Sequence, residues 1–244
     1  MIELVIDKRF CGPRASANGG YAAGKFAQMI DGPAQVTLLA PPPLGEKIEI
    51  REAGEGTFEA RHGATLIARI TPANVSVDPP ALPDSAGVSA ARGDFLEDAD
   101  GEHLLPYCFV CGDKRDDGLR IFAGPAPGSP MNADYWTPKP DLAGSDGLVR
   151  SEFLWAALDC PGAFALRNGL RLCLLGRFAV EIIRRPAPGE KLIVAAWRTG
   201  EDGRKHFSSS ALYDKNRKII AAANAVWIEL NDPAFLEKLR VENA

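Results

Sequence analysis

The sequence is poor in histidine, in positive charge and in long apolar runs, and each shortage removes a class of function. Its three histidines, His62, His103 and His206, are scattered, and none stands at a spacing to a serine or cysteine that suggests a nucleophilic triad. The strained Ser elbow of hydrolases, the glycine-rich P-loop and the dinucleotide fingerprint are all absent. Lysine and arginine number 28 against 32 aspartates and glutamates, a net charge of −4, which argues against a nucleic-acid partner held on a basic face. No apolar run approaches the roughly 20 residues that span a bilayer, so no membrane partner is expected. Residues 1–7 carry no basic segment ahead of a long apolar core and do not read as a signal peptide. Five cysteines, an odd count in a chain long enough to bury its own core, fit reduced thiols and a cytoplasmic location.

What is present is a chain of 244 residues with 46% hydrophobic and 25% charged content, ordinary values for a globular protein. It also contains a near repeat of itself. Pro42-Pro43-Leu44-Gly45-Glu46-Lys47-Ile48 returns as Pro186-Ala187-Pro188-Gly189-Glu190-Lys191-Leu192, placing Gly189 144 positions after Gly45. In both halves a small-residue or apolar helical stretch lies upstream and strand-like segments lie downstream. A long unit present only twice reads as two copies of one domain rather than a solenoid. The expected division is a first copy over residues 1–78, a linker over 79–105 and a second copy over 106–244. Function is then expected at the seam between copies.

In the first copy residues 2–6 read as a strand, Asn18 as a helix N-cap, residues 21–30 as a helix, and residues 36–40, 46–52, 57–61 and 64–71 as strands. Residues 72–103 carry Pro79, Pro80, Pro83, Gly87 and an acidic run, with no period that would bury them. In the second copy residues 119–123 and 131–136 read as strands and 152–166 as an apolar helix. Residues 172–185, 191–199, 206–213 and 218–230 read as a meander. Runs of strands around single helices indicate an α+β fold.

The helix over 152–166 is apolar on nearly every face and carries Asp159 inside it. An all-round apolar helix is buried, so Asp159 is hydrogen-bonded, protonated or kept for a chemical task. Capping a helix disturbed by Pro161 and serving as a base are both open at this point. Asn18-Gly19-Gly20 offers unobstructed amides at a helix start, suited either to an oxyanion or to an ordinary N-cap. Cys108-x-x-Cys111 is one half of a zinc motif, but Cys11, Cys160 and Cys173 are isolated in sequence and only His103 is near. The pair therefore reads as small apolar side chains at a strand start, and neither metal nor cofactor is expected. Arg184, Arg185, Lys191, Arg204 and Lys205 read equally as a phosphate site or as solvated strand ends.

Three local stretches give the chain a resemblance to hotdog-fold proteins, in which a curved antiparallel sheet wraps a central helix. Cys108-Phe109-Val110-Cys111-Gly112 followed by Gly118-Leu119-Arg120-Ile121-Phe122 resembles the opening segment of many hotdog thioesterase-like proteins. Asn18-Gly19-Gly20-Tyr21-Ala22-Ala23-Gly24 resembles the start of their helix. Two copies in one chain is similar to the double-hotdog acyl-CoA thioesterases of the thioesterase II group. The fold implied is two tandem hotdog domains, and the ligand implied is an acyl-CoA or similar thioester, with a homodimer as the assembly.

The resemblance puts the catalytic aspartate on the second copy's helix, at Asp159, and an assisting glutamine late in the last strand, where Asn224 stands. It also expects a hydroxyl residue early in the strand after the helix, where Leu175-Gly176-Arg177-Phe178 holds none. Asp159 would activate water, Asn224 would orient it, and the amides of Gly19 and Gly20 would polarise the thioester carbonyl. The first copy's helix has no carboxylate before Asp31, so one site per chain is expected. The alternative is a non-catalytic acyl-CoA-binding or structural hotdog. A hydratase on the same architecture would want a histidine near Asp159, and no histidine lies on that helix.

Overall fold

The computed structural model describes residues 1–92, 103–166, 173–230 and 232–243. The elements in chain order are β1 (Ile2–Val5), α1 (Gly19–Ala27), β2 (Ala34–Leu38), β3 (Lys47–Gly54), β4 (Thr57–His62), β5 (Thr65–Pro72) and α2 (Ser85–Ala91). Then come β6 (Gly124–Pro125), β7 (Met131–Trp136), α3 (Ser151–Phe164), β8 (Cys173–Ile182), β9 (Leu192–Asp202), β10 (Lys205–Tyr213), β11 (Ile219–Glu229) and α4 (Pro233–Asn243). Among the described residues no helix is long and apolar enough to cross a membrane.

Among the described residues eleven strands form one antiparallel sheet, in the order β1-β3-β4-β5-β2-β8-β11-β10-β9-β7-β6. Read outward from the middle, the run β2-β5-β4-β3-β1 is matched by β8-β11-β10-β9-β7. The halves join edge to edge where Ala34, Gln35, Val36 and Thr37 face Val180, Ala179, Phe178 and Arg177. Joining there removes an edge from each half, which an exposed strand would otherwise offer to other chains.

The match reaches the loops. Cys11 pairs with Ala17 just before α1, and Ala143 pairs with Val149 just before α3. The repeated Pro-rich motif closes a turn in both halves: the Gly45 amide donates to the Ile6 carbonyl at 2.8 Å and the Gly189 amide to that of Pro138 at 2.9 Å. Both glycines have positive φ, +72° and +84°, a conformation that β-carbon sterics disfavour for other residues.

Helices α1 and α3 cross face to face under the sheet, and the small residues of α1 set how closely. Gly20 and Gly24, four apart, share one side of the helix. A Cβ on Gly20 would lie 2.5 Å from Asp159 Cβ, and one on Gly24 would lie 2.7 Å from Glu152 Cα. The two glycines cost helix propensity of about 0.5–1 kcal/mol each relative to alanine, which the backbone-to-backbone approach offsets. From α3, Phe153, Leu154, Ala156, Ala157 and Leu158 are fully buried between α1 and the sheet. Pro161 sits inside α3 without ending it.

A second, smaller core lies on the other face of β7, β9 and β10, where Met131, Ala133, Ala195 and Trp197 meet Val88 and Ala91 of α2. This corrects the reading of residues 72–103 as unburied linker. Asp84 caps α2 through the Gly87 amide at 2.7 Å, and Val88 and Ala91 are fully buried; the acidic run from Glu97 lies outside the described residues. Burial on both faces explains why β9 reads as a continuous apolar run. Residues 119–123 are not a strand: Leu119 and Ile121 donate to the carbonyls of Phe109 and Val110 in irregular chain. Helix α4 carries no counterpart in the sequence reading.

Candidate functional site

The N-terminus of α1 meets the middle of α3 at Asp159. Asn18 caps α1 by accepting from the Tyr21 amide at 2.9 Å through Oδ1, and its Nδ2 donates to Asp159 Oδ2 at 2.9 Å. The Gly20 amide donates to the same Oδ2, also at 2.9 Å. Asp159 is only 4% exposed. Burial pushes its carboxyl up to about 7, opposed by the Gly20 amide, reinforced by the Cys108 sulfur and opposed again by the Asn18 amide. Among the described residues no donor reaches Oδ1.

The first-turn amides of α1 are thus divided. Gly20 is committed to Asp159, Tyr21 to the Asn18 side chain, and Ala22 to the Asn18 carbonyl at 3.0 Å. Among the described residues the Gly19 amide alone of these has no partner, as a helix start leaves it. A Cβ on Gly19 would come within 3.1 Å of Leu175 and 3.4 Å of Leu38, so this amide stands against an apolar wall. Of the residues expected at the seam, the structure therefore gathers Asn18, Gly19, Gly20 and Asp159. The Gly20 amide is not available to a substrate carbonyl, because it already holds the carboxylate.

Asn224 is not in that group. On β11 the side chains of Ala221, Ala223, Ala225 and Trp227 belong to the core that contains α3, and alternation along a strand turns Asn224 to the opposite face. There Ser209 donates to its Oδ1 at 2.7 Å, and its Nδ2 donates to the Ser76 carbonyl at 3.0 Å. Asn224 therefore ties the crossing segment after β5 to the outer face of the sheet. Ser208 and Ser210 of β10 reach α3. Ser210 donates to the Leu158 carbonyl at 2.7 Å, and Ser208 accepts from Trp227 Nε1 at 2.9 Å beside Gly162. Ser208 and Ser210, two apart in a run of three serines, are signalled only by strand alternation.

The other end of the helix pair carries different chemistry. Glu152, 2% exposed at the start of α3, accepts from Gln28 Nε2 at 3.0 Å and lies 3.7 Å from both Lys25 Nζ and Arg150 Nε. Its charge is matched within the protein, so the two ends of the crossing are chemically unequal.

Of the three cysteines expected to be isolated, Cys160 is not. The sulfurs of Cys108, Cys111 and Cys160 lie within 4.8 Å of one another, with Cys108 and Cys160 3.8 Å apart. Residues 108–112 form a turn rather than a strand start. His103 Nε2 stands 3.3 Å from Cys111 Sγ, and Asn18 Nδ2 stands 3.8 and 3.9 Å from the sulfurs of Cys108 and Cys160. Only a fold could reveal this, because Cys160 is distant in sequence. Three of the five basic residues around the second meander are engaged elsewhere: Arg184 pairs with Glu190 and Asp214, Arg185 with Asp146, and Lys191 lies 3.7 Å over the Tyr135 ring. His62 and His206 pair with Glu46 and Glu229, away from Asp159.

No protein-family profile matches the sequence, and no curated protein does. Solved structures do resemble the fold. A protein of unknown function with a hot dog fold from Alicyclobacillus acidocaldarius is 12% identical, with 94% of this chain and 93% of that one covered at a TM-score of 0.58. An acyl-CoA thioesterase II from Mycobacterium marinum is 13% identical, covering 95% and 93% at 0.57. A TesB protein of Mycobacterium avium subs paratuberculosis is 14% identical, covering 88% and 87% at 0.56. The structural neighbours over most of the chain are hotdog-fold proteins and thioesterase II proteins, and the chain has a hotdog fold.

Proposed function

We propose that the chain is a thioesterase-type hydrolase built from two tandem hotdog units, over residues 1–78 and 106–244, and that it cleaves a CoA-type thioester at the seam of α1 and α3. The observation that carries this reading is the unequal treatment of the two Asp159 oxygens. Oδ2 is fixed by Asn18 and Gly20, which orients the carboxylate, and Oδ1, which no donor among the described residues holds, is left to meet a water. Asp159 Oδ1 takes a proton from that water as its oxygen attacks the thioester carbonyl carbon. The carbonyl oxygen gains negative charge beside the Gly19 amide, and Leu38 and Leu175 give the acyl group an apolar wall. The C–S bond breaks, and the leaving thiolate takes the proton from Asp159, giving a carboxylic acid and a thiol. The names of the thioesterase structural neighbours favour this reaction class.

A second reading, a non-catalytic acyl-CoA-binding hotdog, is favoured by a specific observation. The Gly20 hydrogen bond to Asp159 also caps α1 and the Asn18 bond steadies the N-cap side chain, which a purely structural carboxylate would do equally well. Thiol release from a panel of acyl-CoA esters, with wild type and Asp159→Asn side by side, separates the two. Hydrolysis by wild type that is lost in a variant of unchanged melting temperature supports the enzyme. Absence of hydrolysis together with a CoA-dependent rise in melting temperature supports the binding protein.

A further inference from the structure

We propose that Cys108, Cys111, Cys160 and His103 hold one zinc ion, which clamps the opening segment of the second half onto α3. The case rests first on convergence. Two sulfurs come from a tight turn and the third from α3, yet all three lie within 4.8 Å of one another. Zn–S bonds of about 2.3 Å in a tetrahedron set sulfurs about 3.8 Å apart, and Cys108 and Cys160 stand at 3.8 Å. A histidine nitrogen on the same ion would stand about 3.5 Å from a sulfur, and His103 Nε2 lies 3.3 Å from Cys111 Sγ. A disulfide would use two of these four groups and leave the others without purpose.

The turn that carries the first two sulfurs is shaped to present them. The turn closes with the Gly112 amide on the Cys108 carbonyl at 2.8 Å. A Cβ on Gly112 would fall 2.5 Å from that carbonyl oxygen and 2.7 Å from the Cys108 nitrogen and the Pro106 carbonyl, so the position after the second cysteine admits only glycine. Around the sulfurs, Asn18 Nδ2 stands 3.8 and 3.9 Å from Cys108 and Cys160, where an N–H donor orients thiolate ligands. His103 packs against Phe164 of α3, with ring centroids 6.4 Å apart.

The donor set selects the ion. Three thiolates and an imidazole suit zinc and exclude calcium and magnesium, which take oxygen ligands. Among the described residues the three sulfurs alone converge within 4.8 Å, no carboxylate joins them, and His103, which reaches Cys111 Sγ, would supply the fourth ligand. Four protein ligands close the coordination shell, which makes the site structural. Binding releases the three thiol protons to solvent. The site's position accounts for its use: residues 108–112 seat irregular chain over the α1–α3 crossing, and the metal would anchor that chain where Asn18 and Asp159 meet.

The test is metal content and does not depend on hydrolysis. Untagged full-length protein, purified under reducing conditions without chelators, is assayed for zinc by elemental mass spectrometry and then titrated with a mercurial thiol reagent and a zinc indicator. One zinc per chain is expected, released as the thiols are blocked and lost in Cys111→Ser and Cys160→Ser but kept in Cys173→Ser. Should the cluster variants fail to fold, cobalt exchanged into the wild type gives an independent reading. A thiolate-to-cobalt charge-transfer band with the visible bands of a tetrahedral site supports the proposal, and His103→Ala should alter those visible bands. Wild type that takes up neither zinc nor cobalt overturns it, as does zinc retained in Cys160→Ser or a Cys108–Cys160 disulfide in protein alkylated at lysis.

Discussion

Asp159 Oδ2 accepts the Gly20 amide at 2.9 Å across the point where α1 and α3 touch, so one hydrogen bond couples the candidate base to the helix crossing itself. The bond exists because Gly20 has no side chain. In Gly20→Ala the new Cβ would fall 2.5 Å from Asp159 Cβ and 2.8 Å from the Trp155 carbonyl oxygen, and neither can move without shifting a helix. We expect a loss of about 1–3 kcal/mol, the usual range for overpacking a dense core, together with loss of hydrolysis. Urea denaturation and thiol release measure the two effects, and a fully stable, fully active Gly20→Ala would contradict the close approach.

Asn18 has two jobs that different substitutions separate. Its oxygen caps Tyr21 and its nitrogen holds Asp159. Asn18→Ser keeps a cap and removes the donor. Asn18→Asp keeps an equally good cap but sets a carboxylate oxygen against Asp159. The expected order of stability is wild type, then Asn18→Ser, then Asn18→Asp, whereas capping propensity alone ranks the last two alike. Chemical denaturation of the three proteins decides it, and Asn18→Asp matching Asn18→Ser would show that the contact with Asp159 carries no weight.

Much of the architecture was legible because it rests on local rules. Gly45 and Gly189 mark turns that need positive φ, strand alternation located β3 to β5 and β8 to β11, and a single charge in an apolar helix singled out Asp159. What escaped depends on partners distant in sequence. The face Asn224 presents is set by the parity of β11 as it docks on β8 and β10, and register irregularities in those pairings break any count carried along the strand. Cys160 meets Cys108 only because α3 passes beneath the turn. Helix α2 is seven residues with two buried anchors, too short to show a period.

The placement of Asn224 gives a prediction opposite to the one its sequence position suggests. Facing away from α3 and bonded to Ser209 and the Ser76 carbonyl, it should contribute to stability and not to turnover. Asn224→Ala should cost about 1 kcal/mol for the lost hydrogen bonds and leave the rate of thioester hydrolysis unchanged. A large fall in turnover with stability intact would place Asn224 in the reaction after all.

The last prediction concerns how α2 is held on the sheet. Asp134 is fully buried on β7 and accepts from Arg92, at the end of α2, at 2.7 and 2.5 Å, and from the amides of Phe122 and Tyr135 at 2.7 Å each. Burial pushes its carboxyl up, and the Arg92 bond followed by the Phe122 amide pulls it back. Its folded value is therefore above the unfolded one, and ionising it costs stability as pH rises through that interval. Arg92→Met keeps much of the apolar stem but leaves the buried carboxylate without its cation. Because the guanidinium is partly exposed, the expected cost at neutral pH is about 1–3 kcal/mol rather than that of a fully buried pair. The sign of the pH dependence distinguishes this account from simple loss of packing. Once Asp134 is protonated there is no charge left to match, so the gap between wild type and Arg92→Met should shrink as pH falls below the folded carboxyl value. Urea denaturation of both proteins across the acid range measures that gap, and a defect of constant size at every pH would assign Arg92 to packing alone.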